Sequence, residues 1–262
     1  MKIACCQMNM TFLNKESNYD LAKKMFDKAL SKNPDVIVYP EMWDVGFFPK
    51  NDLSEFADIN GEKTKRLFGE LCKKYKVNAV AGSVMNKKND GKIYNTSFVF
   101  DRNGTVICEY DKCHLFSPME EDKYFEKGKG YKTFLVDGEK AAVIICYDLR
   151  FPELIRSLAL DGIKLIFVVA QWPKERIEQF KSLLKARAIE NQIFAVSCNS
   201  CGKAEKTVYG GNSIAFDPLG NELYNLGGKE EIDFCECNFE TVNKIRRDIN
   251  VFNDRRAEIY NL

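Results

Sequence analysis

The chain has 262 residues, 45% of them hydrophobic and 29% charged, a composition that can bury a sizeable core and is not typical of disorder. Its 39 basic and 38 acidic residues give a formal charge of +1, so the basic excess of proteins that bind nucleic acid or anionic membranes is missing. No apolar run approaches the roughly 20 residues of a membrane-spanning helix, and the N-terminus lacks the cationic and apolar regions of a secretory signal. We therefore expect a cytoplasmic protein that binds neither nucleic acid nor membrane.

The first third of the chain alternates between strand and helix patterns. The predicted elements are a strand over 2–8, a helix that ends before Pro34, a strand over 36–39, a helix over 62–75 and a strand over 77–84. A strand–helix–strand unit implies parallel strands joined by a right-handed crossover.

Hairpins interrupt this alternation in the middle of the chain. Strands are predicted over 93–101 and 105–110, and again over 132–136 and 139–146, each pair flanking a turn that contains glycine. The polar segment 117–130 between the two hairpins is predicted to be a loop.

The last part of the chain returns to alternating elements. These are a helix over 152–161, a strand over 164–170, a helix over 175–191, strands over 193–199, 213–216 and 232–237, and a helix over 240–247. Because we find no repeat and no linker, we predict a single domain over residues 1–262. Two mixed sheets packed face to face, with helices outside, fit this count better than one open sheet.

Ten cysteines are many for a chain that we expect to be intracellular. A chain of this length needs no disulfide staples, so most of them are interpreted as reduced core residues. Cys198 and Cys201 have CxxC spacing, and no helix follows them as in a thioredoxin-like redox pair. Cys235 and Cys237 could complete four zinc ligands, but they lie in an alternating strand pattern and not on a tight knuckle. A zinc or thiol-redox protein is therefore the weaker alternative, and no metal is predicted.

Three polar residues follow strand-like segments in the same manner. They are Glu41, Lys112 and Cys146, and Cys146 stands between the apolar run 141–145 and Pro152, where a helix can begin. If the strand ends lie together, a carboxylate can take the thiol proton and an ammonium can stabilise first the thiolate and then an oxyanion. On position alone, however, a buried structural cysteine and two solvated charges are the commoner situation.

The segments around these residues resemble a known family signature. They read Tyr39-Pro-Glu41, Tyr110-Asp-Lys-Cys-His-Leu-Phe116 and Cys146-Tyr-Asp-Leu-Arg-Phe-Pro-Glu153, and they resemble the carbon–nitrogen hydrolase (nitrilase) superfamily in order and separation. The resemblance continues through Lys185-Ala-Arg-Ala-Ile-Glu-Asn-Gln192, Gly210-Gly-Asn-Ser213, Asp217-Pro-Leu-Gly220 and Asp254-Arg-Arg256, and so covers essentially the whole chain. It implies an α/β fold, a four-layer α-β-β-α sandwich, that assembles as a homodimer through its helices.

The same resemblance implies roles for individual residues. Glu41 is the general base, Lys112 stabilises the tetrahedral intermediate and Cys146 is the nucleophile. A second glutamate in the loop after Lys112 would orient that lysine; Glu121 matches best and Glu120 competes with it. The implied reaction passes through a thioester, needs no metal or organic cofactor, and uses the backbone N–H of the residue after the cysteine as an oxyanion donor.

The residues beside the cysteine indicate a branch of the superfamily. Tyr147-Asp148 resembles the amidase branches, whereas nitrilases usually have Trp-Glu there. Ala170-Gln-Trp-Pro173 resembles the omega-amidase group, which hydrolyses the terminal amide of 2-oxoglutaramate and 2-oxosuccinamate. A deaminated-glutathione or N-carbamoyl amidase is the nearby alternative, and a non-catalytic scaffold that has kept the fold is the alternative from another class.

Four residues are predicted to line the substrate pocket. Arg150 is a candidate for holding the far carboxylate in two hydrogen bonds, although a structural ion pair in the turn is an equal alternative. Phe116, Tyr147 and Trp172 are predicted to form its walls. His114, the single histidine, has no catalytic counterpart in the family and is predicted to be structural.

Overall fold

Two mixed β-sheets lie face to face in the computed structural model, which describes residues 1–49 and 53–260. In chain order the elements are β1 (Lys2–Gln7), α1 (Lys15–Ala29), β2 (Val36–Val38), α2 (Leu53–Phe56), β3 (Asp58–Ile59), α3 (Glu62–Tyr75), β4 (Asn78–Val80), β5 (Val84–Lys87), β6 (Ile93–Phe100), β7 (Val106–Asp111), α4 (Glu121–Tyr124), β8 (Thr133–Val136), β9 (Glu139–Ile145), α5 (Pro152–Leu160), β10 (Leu165–Ala170), α6 (Ile177–Asn191), β11 (Phe194–Asn199), β12 (Cys201–Ala204), β13 (Thr207–Gly210), β14 (Ile214–Phe216), β15 (Glu222–Asn225), β16 (Glu231–Glu236) and α7 (Phe239–Asp248).

Each sheet combines parallel with antiparallel strand pairs. The larger sheet has the order β16-β1-β2-β4-β6-β5-β3, with β7 also paired to β6, and β1, β2 and β4 run parallel. The smaller sheet has the order β15-β14-β11-β10-β9-β8, with β9, β10 and β11 parallel. The prediction of two mixed sheets is confirmed.

The alternation of side chains along the strands produces four layers. Ile3 of β1 points into the core between the sheets, whereas its neighbour Ala4 packs against α1 and α3. Val143 of β9 likewise faces the inner core and Ile144 faces α5 and α6. A strand with both faces covered must be apolar throughout, and each large apolar side chain so buried contributes about 1.5–3 kcal/mol. The predicted α-β-β-α sandwich is therefore confirmed.

The segment predicted as one strand over 77–84 forms two strands. It divides into β4 and β5 because the chain bends at Gly82, whose φ is +61°. A Cβ there would lie 2.0 Å from the carbonyl oxygen of Pro40, so only glycine fits. After the bend, β5 pairs with β6 as an antiparallel hairpin.

Two further predictions on local structure were incomplete. The predicted loop 117–130 contains a 3₁₀ turn over Ser117–Met119 and the short helix α4. The hairpin of β12 and β13 and the strand β15 were not predicted, because their residues are half exposed and lack a clear alternation.

The helices of the described chain flank the sheets. None of them, within residues 1–49 and 53–260, has the length and apolar character needed to cross a membrane. The carboxyl ends of β2, β7, β9 and β10 all lead into residues that line one cavity. The fold thus brings together segments that are distant in the sequence.

Candidate active site

A cavity of about 410 Å³ opens where these strands end. Its lining includes all eight residues that the sequence nominated: Glu41, Lys112, Phe116, Glu121, Cys146, Tyr147, Arg150 and Trp172. The structure thus brings together residues spread over more than half of the chain, and it encloses them in a space that suits a small molecule.

Lys112 lies between two carboxylates. Its Nζ donates to Glu41 Oε1 at 2.9 Å and to Glu121 at 3.0 Å (Oε1) and 2.9 Å (Oε2). All three side chains are buried. Burial by itself would lower the pKa of Lys112, but Glu121 and Glu41 raise it well above its usual value. The ammonium therefore stays charged beside the cavity.

Glu121, and not Glu120, reaches this lysine. Glu121 begins α4 and is buried, and its Oε2 also accepts the backbone N–H of Phe116 at 2.7 Å. The Glu120 carboxylate instead pairs with the side chain of Lys123 at 2.6 Å, on the outside of the same turn. The geometry thus separates two adjacent glutamates that the sequence could not distinguish.

Asn95 completes this arrangement and was not nominated from the sequence. Its Nδ2 donates to Glu41 Oε1 at 2.9 Å and to Glu121 Oε1 at 3.3 Å, so it links the two carboxylates. It is the third residue of β6 and is almost fully buried. Asparagine is unfavourable inside a strand, and that anomaly is the signal that could have identified it.

Cys146 leaves the sheet at a sharp turn. It directly follows β9, begins a 3₁₀ turn that ends at Arg150, and has φ +50°. A residue other than glycine in this region costs of order 1–3 kcal/mol, and it persists only where its surroundings hold it. Burial raises the pKa of the thiol well above its usual value, the nearby Glu41 raises it further, and Lys112 opposes both. The resting sulfur is therefore a neutral thiol.

The buried carboxylate of Asp148 holds this turn. Its Oδ2 accepts the Tyr110 hydroxyl at 2.7 Å and the backbone N–H of Ile145 at 3.1 Å. Its Oδ1 accepts the backbone N–H of His114 at 3.0 Å and lies 2.7 Å from that residue's Nδ1. The imidazole stacks on Phe151 at 3.7 Å between ring centroids. His114 therefore contacts Asp148, the residue that holds the turn at Cys146.

A second buried side chain supports the same turn from α6. Arg187 donates from Nε and Nη2 to the carbonyl oxygen of Leu149, at 3.2 and 3.1 Å. Its Nη1 pairs with Glu190 at 2.9 Å. These contacts give a structural reason for Arg187 and Glu190 within the Lys185–Gln192 segment.

Aromatic side chains form the walls of the cavity. Phe116 and Tyr147 are in edge contact at 4.9 Å between ring centroids. Trp172 is buried and its indole Nε1 lies 3.4 Å from the carbonyl oxygen of Cys146. Arg150 stacks on the Trp172 ring at 4.7 Å and donates to Gln179 Oε1 at 2.8 Å. Arg150 makes no ion pair with any described acidic residue.

Further residues that line the cavity were not predicted from the sequence. Tyr209 of β13 lies 3.4 Å (hydroxyl to Oε1) from Gln171, and burial raises its pKa well above the usual value, so the hydroxyl stays protonated. Gln171 in turn donates to the carbonyl oxygen of Gly46 at 2.7 Å. Arg176 also lines the cavity. Their positions depend on contacts across the cavity, so no local pattern marks them.

The four cysteines considered as zinc ligands do not form one site. Cys198, Cys235 and Cys237 are in the core between the sheets, and Cys201 lies in the separate hairpin. Among the residues that the structure describes, no group of three or more His, Cys, Asp or Glu side chains is arranged to hold a metal ion.

A four-layer sandwich with a thiol, an ammonium and two carboxylates at one cavity defines a class of enzyme that hydrolyses carbon–nitrogen bonds in amides. Comparison with known proteins agrees with this class: the chain belongs to the carbon-nitrogen hydrolase family, which matches residues 2–247. The superfamily named from the sequence motifs is therefore confirmed.

Individual relatives extend along nearly the whole chain. A 2-oxoglutaramate amidase from Bacillus subtilis (strain 168) is 38% identical over 98% of this chain and 98% of that protein. A deaminated glutathione amidase from Dictyostelium discoideum is 30% identical over 95% of this chain and 92% of that protein. Among solved structures, Nit3 of Saccharomyces cerevisiae, a member of branch 10 of the nitrilase superfamily, superposes with a TM-score of 0.91 at 25% identity, covering 98% of this chain and 96% of that one.

Proposed function

We propose that this enzyme hydrolyses the terminal amide of a short 2-oxo acid monoamide, 2-oxoglutaramate or 2-oxosuccinamate, to the 2-oxo dicarboxylic acid and ammonia. The observation that carries the proposal is the 38% identity to a 2-oxoglutaramate amidase over nearly the full length of both proteins. The cavity supports it, because cationic side chains such as Arg150 lie beside the thiol and can receive the far carboxylate of such a substrate.

The first half of the proposed reaction makes a thioester. As the amide carbonyl approaches, Glu41 takes the thiol proton and Cys146 Sγ bonds to the carbonyl carbon. The oxyanion is stabilised by Lys112 and by the backbone N–H of Tyr147. An ammonium has three N–H donors, and with one directed to each carboxylate the third is left for this oxyanion. The C–N bond then breaks as Glu41 returns the proton to nitrogen, and ammonia leaves.

The second half consumes water. Glu41 removes a proton from a water molecule, whose oxygen bonds to the thioester carbon. The C–S bond breaks, the carboxylic acid leaves, and the sulfur regains its proton from Glu41. Glu121 keeps Lys112 in place throughout, because both of its carboxylate oxygens bind the ammonium, at 3.0 and 2.9 Å. No metal or organic cofactor enters this scheme.

A deaminated-glutathione or N-carbamoyl amidase is the second candidate. It is supported by the 30% identity to a deaminated glutathione amidase, and the same groups would perform the chemistry. The two candidate substrates differ in the group at the end far from the amide. One has a peptide-like tail there, and the other has a 2-oxo carboxylate.

Assembly as a homodimer in the cytoplasm completes the proposal. Leu160 of α5, Ile189 of α6 and Leu219 of the turn after β14 are large apolar residues left 46%, 45% and 58% exposed. Burying such a surface between two copies stabilises a dimer. All ten cysteines are free, as suits a reducing compartment. We expect light scattering to give the dimer mass for the wild type and the monomer mass for Ile189→Glu, and cell fractionation to place the protein in the cytoplasm.

Ammonia release from a substrate panel tests the reaction. The panel contains 2-oxoglutaramate, 2-oxosuccinamate, glutamine, deaminated glutathione and N-carbamoyl amino acids. We expect the largest kcat/KM for a 2-oxo acid monoamide and no activity in Cys146→Ala. Acid quenching during turnover, followed by intact-mass measurement, should find the acyl group on the wild-type chain. Failure of both 2-oxo acid monoamides would overturn the proposed substrate, and full activity in Cys146→Ala would overturn the thioester.

A further inference from the structure

Arg176 is a charged side chain that lines the cavity, and its guanidinium has no polar partner in the described part of the chain. It ends the 3₁₀ turn Lys174–Arg176, and its guanidinium carbon lies 5.2 Å from the centre of the Phe116 ring. Across residues 1–49 and 53–260, its guanidinium makes no hydrogen bond and no ion pair. A half-buried guanidinium with its donors unused can bind an anionic ligand that enters the cavity.

Three other cations line the cavity: Lys112 and Arg150 already have polar partners, and Lys206 is exposed and has no guanidinium fork. Lys112 is held by two carboxylates, and Arg150 donates to Gln179 while it stacks on Trp172. Stacking on Phe116 orients the plane of the Arg176 guanidinium but uses none of its N–H groups. All five donors of Arg176 therefore remain available in a fixed fork, the geometry that matches a carboxylate.

The contacts also connect Arg176 to the reacting end of the cavity. Its ring partner Phe116 touches Tyr147, which directly follows Cys146. Phe116 in turn donates its backbone N–H to Glu121, the partner of Lys112. An acyl chain that extends from the thiol along this aromatic wall would therefore have its far end near Arg176.

We propose that Arg176 is a specificity-determining residue that binds the far carboxylate of the substrate through its guanidinium fork, with Arg150 as a second cation on that group. The inference rests on the proposed function, since it assumes an amide whose far end is anionic. A 2-oxo carboxylate presents three acceptor oxygens, more than one bidentate guanidinium can satisfy, and the unused donors of two arginines meet all three.

The test compares an anionic amide with an uncharged one in three variants. The amides are 2-oxoglutaramate and butanamide, and the variants are Arg176→Gln, Arg176→Lys and Lys174→Gln. Lys174 is the matched control, because it is an exposed cation of the same turn and does not line the cavity. Equal unfolding temperatures establish that the variants are folded.

For Arg176→Gln we expect KM for 2-oxoglutaramate to rise about ten- to hundredfold, as for the loss of a hydrogen bond to a charged group, with kcat within about threefold of wild type if binding alone is lost. Arg176→Lys should lie between, because it keeps the charge and loses the fork. Lys174→Gln should match wild type on both amides. Inhibition of butanamide hydrolysis by 2-oxoglutarate should weaken in Arg176→Gln by a factor similar to the rise in KM.

The outcomes separate this inference from the proposed function. If the wild type hydrolyses 2-oxoglutaramate and Arg176→Gln leaves its KM unchanged, or lowers kcat/KM equally on both amides, the role of Arg176 is refuted and the proposed function stands. If another carboxylate-bearing amide is the better substrate and Arg176→Gln raises its KM, the inference stands and the proposed substrate fails. If the wild type prefers uncharged amides, both fail.

Discussion

Two clusters in this enzyme each combine one lysine with two buried carboxylates, and they differ in protonation. The cavity cluster consists of Glu41, Lys112 and Glu121, and the loop cluster consists of Lys15, Asp44 and Asp58. In the cavity cluster the lysine is within 3.0 Å of both carboxylates. In the loop cluster Lys15 is 3.7 Å from Asp44 and donates instead to the carbonyl oxygen of Phe56 at 2.8 Å.

The consequence is a difference in protonation. Burial raises the pKa of Asp44 to about 7, because the nearby Lys15 only partly compensates and Asp58 adds a second negative charge. In the cavity cluster the carboxylates act on the lysine, whose pKa they raise. The two clusters contain the same kinds of residue but differ in the distance between the lysine and the carboxylates. That distance decides whether a buried group keeps its charge or becomes neutral.

The largest expected effect on activity comes from removing the thiol of Cys146, which lies in the same cavity as the cavity cluster. Cys146→Ala should lower kcat at least about 10⁴-fold, because no nucleophile remains, while the cluster itself is untouched. Ammonia release measures the activity and thermal unfolding checks the fold. Residual activity within a hundredfold of wild type would mean that the cluster activates water directly.

Matched lysine substitutions break the two clusters in turn. Lys112→Met leaves two buried carboxylates unpaired and should cost about 3–5 kcal/mol of unfolding free energy together with all activity. Lys15→Met should cost about 1 kcal/mol or less, because this lysine is partly exposed and lies beyond hydrogen-bond distance of Asp44. Urea unfolding of both variants measures the difference. Equal costs would contradict the distinction drawn between the clusters.

The pH dependence of stability sharpens the comparison. Asp44 keeps its proton up to about pH 7 in the folded protein, whereas an unfolded aspartate, with an ordinary pKa of 3.8, loses it at much lower pH. The folded state then binds more protons, so the unfolding free energy falls as pH rises from about 4 to about 7 and levels off above that. Asp44→Asn should remove up to roughly 4 kcal/mol of this decline. Urea unfolding at several pH values tests it, and an unchanged slope in Asp44→Asn would refute it.

The smallest expected effect concerns the single histidine. His114→Asn removes the imidazole contact with Asp148, but the backbone N–H of residue 114, the Tyr110 hydroxyl and the Ile145 N–H still bind that carboxylate. We expect a loss of about 1 kcal/mol in stability and kcat within about fivefold of wild type. Loss of turnover in a folded variant would show that the imidazole takes part in the reaction.

The sequence identified the elements whose signal is local. The apolar run before Cys146 predicted a strand that ends at this cysteine. The positions of Glu41 and Lys112 predicted that polar groups follow two further strands. The motifs around these three residues predicted the family. The glutamates were a harder case: adjacent positions with the same side chain differ only in which way a short turn directs them, so Glu120 and Glu121 could not be separated until α4 was seen.

The sequence by itself therefore determined the kinds of chemical group available and the strand ends that carry them, because hydrophobic periodicity and motif spacing are written along the chain. Only the tertiary structure decided which groups meet. Asn95 reaches Glu41 and Glu121, which are 54 and 26 positions away. Asp148 binds donors from two strands and a loop, two of them 34 or more positions away, and Arg176 faces the cavity. Such contacts arise from the packing of two sheets, which no local pattern encodes.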